Sequence, residues 1–190
     1  MKISKHLSFL ILSVLALTTL PAGAQQKLLP AQSDIGFTFK QMGVPVDGRF
    51  KKFDAQIHFD AAKLATSAVT FTVDIASATL GTPEIDAELP KAPWFNTAKF
   101  PQATFASSAF KSLGAGKYEV SGKLSVKGQS QNVVVPLTMT QVGTNTTAVG
   151  VFPIKRLAFK IGENEWADTS MVADDVQVKF KLTLSGVGKL

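Results

Sequence analysis

Ser33-Asp34-Ile35-Gly36-Phe37-Thr38-Phe39-Lys40 sets the pattern on which the rest of the chain is read. Successive side chains of a strand point to opposite faces, so Ile35, Phe37 and Phe39 share one face and Asp34, Thr38 and Lys40 the other. The same alternation returns in Arg49–Asp60, Ser67–Ile75, Gln102–Phe110, Lys117–Lys127, Gln129–Gln141, Thr146–Arg156 and Asp174–Leu184. With Ser33–Lys40 these make about eight candidate strands. Turn residues separate several of them, at Val44-Pro45-Val46-Asp47-Gly48, Gly114-Ala115-Gly116, Lys127-Gly128-Gln129 and Gly143-Thr144-Asn145. Short connections favour an antiparallel up-and-down arrangement. Eight strands that close into a barrel leave room for one small ligand.

Two stretches interrupt the strands. In Gly81–Pro101, Thr82-Pro83-Glu84 starts a short helix that runs to Leu89, because proline and acidic residues suit a first helical turn. Pro90 and Pro93 end it, and Trp94-Phe95 then lie across one end of the barrel. Gly162–Asp175 is the second interruption. The expected fold is therefore all-β, an antiparallel up-and-down barrel of about eight strands with a short helical excursion across one end.

Residues 1–24 read as a secretory signal peptide, in which Lys2, Lys5 and His6 precede the apolar run Leu7–Leu20 and Pro21-Ala22-Gly23-Ala24 supplies the cleavage site. The run is short for a transmembrane helix and no later stretch qualifies. The expectation is a periplasmic protein with no stable membrane anchor and one domain over residues 25–190. Eighteen basic residues face 14 acidic ones once Lys2 and Lys5 are set aside. That excess is small and scattered, which argues against nucleic acid as a partner.

Parity assigns the interior. The candidate ligand-binding wall comprises Ile35, Phe37 and Phe39, then Phe59, Phe71 and Val73, with Trp94 and Phe95 from the excursion. Phe105, Tyr118, Leu124, Val135, Leu137 and Met139 continue it, and Phe152, Ile154, Val178 and Phe180 complete it. Ile57, Val69, Ile75, Val120, Val126, Val133, Val176 and Leu182 share their parity. Gly36, Gly122, Ala148 and Gly150 are small residues among many phenylalanines, a mixture that leaves a cavity or marks sharp curvature. Arg156 has the parity of Phe152 and Ile154. Such an arginine either pairs with an acid such as Asp174 or meets a polar head at the mouth.

Catalytic chemistry is sparse. His58 is the one histidine beyond the leader, it has outward parity, and there is no cysteine. A nucleophile with its base, or a His/Cys metal site, has no residues to use. Glu163, Glu165, Asp168, Asp174 and Asp175 do not follow calcium-loop spacing. Neither catalytic residues, metal nor cofactor are expected.

The ordered set of motifs resembles one family. Ser33-x-Ile35-x-Phe37 through Val46-x-Gly48-x-Phe50, Asp86-x-x-Leu89 with Trp94-Phe95, and Phe100-Pro101-x-x-x-Phe105-x-Ser107 are similar to the opening and centre of the YceI family of exported lipid-binding proteins. Tyr118-x-Val120-x-Gly122-x-Leu124-x-Val126-x-Gly128, Val133-x-Val135-Pro136 and Phe152-x-Ile154-x-Arg156-x-x-Phe159-x-Ile161-Gly162 resemble its later strands. Members often carry Asn before the late Arg and Asp-Phe-Gly after it, where this chain has Lys155 and Leu157-Ala158-Phe159-Lys160. The resemblance implies a lipocalin-like barrel whose apolar tunnel holds a polyisoprenoid or similar long-chain lipid, such as an isoprenoid quinone, for transport, storage or stress protection. Two other functions stay open: a lipid- or quinone-linked enzyme with a polar mouth, and a ligand-free structural or stress module. A homodimer is compatible with an elongated barrel, although no residue argues for it.

Overall fold

The computed structural model describes residues 25–190; the candidate signal peptide lies outside them. The strands are β1 (Lys27–Leu28), β2 (Asp34–Gln41), β3 (Val44–Phe50), β4 (Phe53–His58), β5 (Ala68–Asp74) and β6 (Ala78–Thr79). They continue as β7 (Gln102–Gly114), β8 (Lys117–Val126), β9 (Gln129–Val142), β10 (Asn145–Lys155) and β11 (Asp175–Ser185). All eleven belong to one curled sheet in the order β4-β5-β7-β8-β9-β10-β11-β2-β3-β6, with β1 beside β11. Every pairing is antiparallel.

The two ends of that ladder meet at the corner Lys51-Lys52. There Phe50 pairs with Ala78, and the Asp74 N–H donates to the Lys52 carbonyl at 3.0 Å. Beyond the corner no pairing joins β4 to β2 or β3 among the described residues. The Gln26 side chain bridges part of that seam, its amide bonding both the Phe59 N–H and the Phe59 carbonyl at 2.8 Å.

Eleven strands replace the expected eight for local reasons. Arg49–Asp60 is broken at Lys51-Lys52, and β1 and β6 are two-residue strands without a periodic signal. The expected turn Val44–Gly48 is strand β3. The turn itself is Met42-Gly43, where both residues have positive φ (49° and 81°) and Gln41 pairs with Val44. Such a two-residue turn matches the twist of its flanking strands. The expected helix over Thr82–Leu89 shortens to α1 (Pro83–Asp86). Its Asp86 carboxylate accepts the Leu80 N–H at 2.6 Å and the Thr79 hydroxyl. The strand expected to reach Arg156 stops at Lys155, where a 3-10 turn over Arg156–Phe159 begins.

Phenylalanines cover glycines across the ladder. Phe37 pairs with Gly48 and Phe180 with Gly150, and each ring occupies the space a Cβ on that glycine would take. Phe105 likewise lies over Gly122, 2.5 Å from the position of such a Cβ. Gly36 differs: a Cβ there would meet the Gly48 carbonyl and Asp34, so it belongs to the outer face. A ring laid over a glycine follows the wall, and the centre of the barrel stays unfilled. Gly122→Ala should therefore cost about 1–3 kcal/mol, because the added Cβ meets both the Ala106 carbonyl and the Phe105 ring at 2.5 Å. Chemical denaturation checks this, with Phe105→Leu expected to recover part of the loss in the double variant.

The core is divided. One cluster, at the excursion end, joins Ile75, Ala78, Leu89, Phe95, Ala103, Val126, Phe159 and Ile161. A second, at the other end, joins Leu28, Phe59, Tyr118, Met139, Ala148, Leu184 and Val187. Between them the wall residues Phe37, Phe39, Phe71, Phe105, Leu124, Val178 and Phe180 are only half-buried although they face inward. Two apolar plugs thus bound a barrel whose middle is hollow.

Candidate functional site

The hollow is a cavity of about 520 Å³. That is the size of a small-molecule site. Of the sequence-derived wall, Ile35, Phe37, Phe39, Phe59, Phe71, Val73, Trp94, Phe95 and Phe105 line it. So do Leu124, Val135, Leu137, Met139, Phe152, Ile154, Val178, Phe180 and Arg156. Tyr118 does not. Its ring stands edge-on to Phe59 with centroids 5.4 Å apart, inside the far plug. Val133 also stays outside the cavity, beside a small outer crevice with Ser108 and Asn132.

Other lining residues lacked a parity signal. Phe110 would face outward if counted from Phe105, but a register shift between Ser107 and Ala109 inserts one residue and returns Phe110 to the interior. Phe50 has outward parity if counted from Ile57 in the expected strand Arg49–Asp60, but the break at Lys51-Lys52 puts it on β3 and facing the cavity. Leu80, Leu89, Ile161, Trp166 and Val172 come from connections and reach the cavity through tertiary folding alone.

Polar lining is limited to Gln41, Glu84, Glu88, Thr104 and Arg156, apart from the indoles. Gln41, Glu84, Ile85 and Glu88 are exposed as well as lining. The cavity therefore reaches solvent where the β2–β3 tip, α1 and the loop carrying Trp166 converge. Trp166 is half-buried against Trp94, with ring centroids 5.3 Å apart.

Arg156 is a correction to the expected polar mouth. It is 2 % exposed, and every N–H of its guanidinium is engaged by a main-chain carbonyl. Nε donates to Ala173 at 3.1 Å, Nη1 to Ile161 at 2.8 Å and Gly162 at 3.0 Å, and Nη2 to Trp166 at 2.7 Å and Val172 at 2.6 Å. Five donors are all that a guanidinium has. None remains for a head group. The expected ion pair with Asp174 is absent too, because that carboxylate accepts the Leu157 N–H at 2.9 Å. Burial lowers the Arg156 pKa and the charge of Asp174 opposes the shift. Gly162, at φ +76°, admits the guanidinium, since a Cβ there would collide with Nη1.

Lys127 is a second clamp that the sequence did not reveal. Its ammonium is buried and donates to Lys160 O at 2.6 Å, Pro93 O at 3.2 Å and the Glu163 carboxylate at 2.9 Å. The Pro93 carbonyl also accepts the N–H groups of Gly162 and Glu163. The excursion and the late loop are thus fastened over the same end of the barrel. His58 is exposed on the outer face, away from all of this.

Three carboxylates hold this end and each has a lowered pKa. For Glu163 the main cause is the hydrogen bond from Lys127, for Asp86 those from Thr79 and the Leu80 N–H, and for Asp168 those from Ser170. A depressed folded pKa means that the unfolded chain binds the proton more readily. The contribution is complete above the ordinary values of 4.5 for Glu and 3.8 for Asp, and is lost as pH falls through the lower folded values. Thermal midpoints should hold steady from pH 7 to 5 and drop below about pH 4. Asp86→Asn combined with Glu163→Gln should flatten that drop.

A family model described as a YceI-like domain matches residues 27–184. The chain belongs to the YceI family. Among solved structures, that of Burkholderia cenocepacia BcnA is 47% identical, covers 82% of this chain and 98% of its own, and superposes with a TM-score of 0.80. A Campylobacter jejuni YCEI protein is 25% identical, with 73% and 83% of the two chains covered and a TM-score of 0.66. A polyisoprenoid binding domain from Saccharophagus degradans shares the fold at 16% identity and a TM-score of 0.70, over 85% of this chain and 98% of its own. A UPF0312 protein of Vibrio cholerae is 33% identical over 106 residues, 55% of this chain and 56% of the relative. The chain thus spans about half the length of the curated relatives it matches.

Proposed function

We propose that this YceI-family protein binds a polyisoprenoid or similar long-chain lipid, an isoprenoid quinone included, and serves as its carrier or reservoir in the periplasm. One observation carries the reading: a cavity of about 520 Å³, walled almost wholly by apolar side chains, lies between two packed clusters. Each CH₂ removed from water contributes about 0.8 kcal/mol, so a few isoprene units offset the cost of association. Affinity then comes from the tail. With Arg156 fully engaged, the head group meets only Gln41, Glu84 and Glu88 near the mouth and is loosely read. The fold it shares with a domain named for polyisoprenoid binding supports the ligand class, and the leader-like residues 1–24 support export.

Trp94 and Trp166 are the only tryptophans in the chain, and both line the cavity. Titration with a short-chain ubiquinone should quench their fluorescence and saturate at one ligand per chain. A linear, unsaturated response equal to that of free tryptophan would refute binding in this cavity.

A further inference from the structure

Nine large apolar side chains are exposed among the described residues, and four of them frame the cavity mouth. Met42 (69 %) is in the β2–β3 turn and Val44 (63 %) follows it, Ile85 (47 %) is on α1, and Met171 (43 %) is on the late loop. Each lines the cavity or adjoins a lining residue, Val44 by pairing with Gln41. Met42 follows the lining residue Gln41, Met171 precedes the lining residue Val172, and Ile85 itself lines the cavity. Gln41 bridges Val172, and the Met42 N–H donates to the Met171 carbonyl at 2.8 Å. The β2–β3 tip and the late loop are therefore joined into one rim segment. These apolar side chains stand beside the polar rim residues Gln41, Glu84 and Glu88, where the apolar cavity opens.

We propose that this rim docks on a lipid bilayer, so that a tail passes between membrane and cavity without crossing water. The inference rests on the lipid-carrying function above. A tail crossing water exposes every CH₂ at about 0.8 kcal/mol each, and a mouth seated in the interface removes that barrier. The rim suits a bilayer rather than a flat protein face: the flexible methionines Met42 and Met171 sit on turns, Val44 opens β3 and Ile85 lies on the short α1, and the half-buried Trp166 lines the cavity they frame. Its charges choose the bilayer. Glu84, Glu88, Glu165 and Asp168 lie on the rim segments against Lys40 and Lys91, and Lys91 is already paired with Glu88. The rim therefore fits a surface without net charge, and anionic lipid weakens docking.

The test compares the purified protein with Met42→Ser/Val44→Ser/Met171→Ser, whose three positions lie outside the cavity lining. Both proteins keep the same N-terminus, so a difference between them reports on the rim. Flotation with phosphatidylcholine vesicles should show binding by the parent that is weakened about thirtyfold or more in the variant. Admixture of phosphatidylglycerol should weaken binding of the parent. Uptake of ubiquinone from those vesicles should rise with vesicle concentration for the parent and lose that dependence in the variant, while titration with farnesol in solution gives equal occupancy in both. Equal flotation of the two proteins, or parental uptake indifferent to vesicle concentration, would overturn the proposal. Absence of farnesol and quinone uptake by both would instead refute the lipid-carrying function. Val44→Ser alone serves if the triple variant fails to fold.

Discussion

Arg156→Met is expected to destabilise the protein by about 3–5 kcal/mol. The substitution keeps an apolar stem and removes the group that ties together the carbonyls of Ile161, Gly162, Trp166, Val172 and Ala173. Hydrogen bonds to a charged group contribute about 1.5–3 kcal/mol each, and water replaces some of them when the loop opens, so the total falls well below their sum. At this length each kcal/mol shifts the thermal midpoint by about 2–4 °C, which makes a fall of about 6–20 °C. Arg156→Lys should recover less than half. An ammonium offers three donors from one point, and the five carbonyls converge on a planar fork. Denaturant titration of both variants checks the expectation. Loss below about 1 kcal/mol for Arg156→Met would show that the guanidinium is not the keystone of the loop. A folded Arg156→Lys protein that loses one head group selectively would return Arg156 to the mouth.

Filling the cavity should separate binding from stability. Val178 lies on the wall between its ladder partners Phe37 and Phe152, and Val69 lies on β5 two residues from Phe71. Val178→Trp together with Val69→Trp places two large rings in the hollow. In a packed core such enlargement costs about 1–3 kcal/mol. Into open space the same rings gain contacts, so thermal stability should hold or rise while lipid occupancy falls by at least about tenfold. Phe71→Asp acts the other way, with a carboxylate in an apolar wall that lowers occupancy and stability together. Melting curves and ligand titrations on the three proteins give the comparison. A double-tryptophan variant that unfolds readily and binds as well when folded would show that the middle of the barrel is already filled.

Period-two alternation was enough to read most of the wall, because parity depends only on neighbours along one strand. Height along the barrel axis is a different quantity. Tyr118 has the inward parity of Leu124, yet it sits in the far plug, since depth is set by register against β7 and β9. The shift at Ser107/Ala109 hides Phe110 for a related reason: a bulge resets parity and leaves no compositional mark. Pro45 and Gly48 look like turn residues, but Gly48 is held in β3 under the ring of Phe37, a partner eleven residues earlier. The clamps were least legible. Arg156 and Lys127 bind carbonyls that approach them only after the excursion and the late loop have folded over one end, and carbonyls are identical in every residue.

The most direct measurement is mass spectrometry of organic extracts from protein freshly purified without detergent, with the lipid quantified per chain. The hollow, apolar barrel predicts a co-purifying isoprenoid lipid at up to one molecule per chain, and a stripped protein that regains it from an offered quinone. An extract without lipid from repeated preparations, together with no uptake of ubiquinone or polyprenol by the stripped protein, would contradict it.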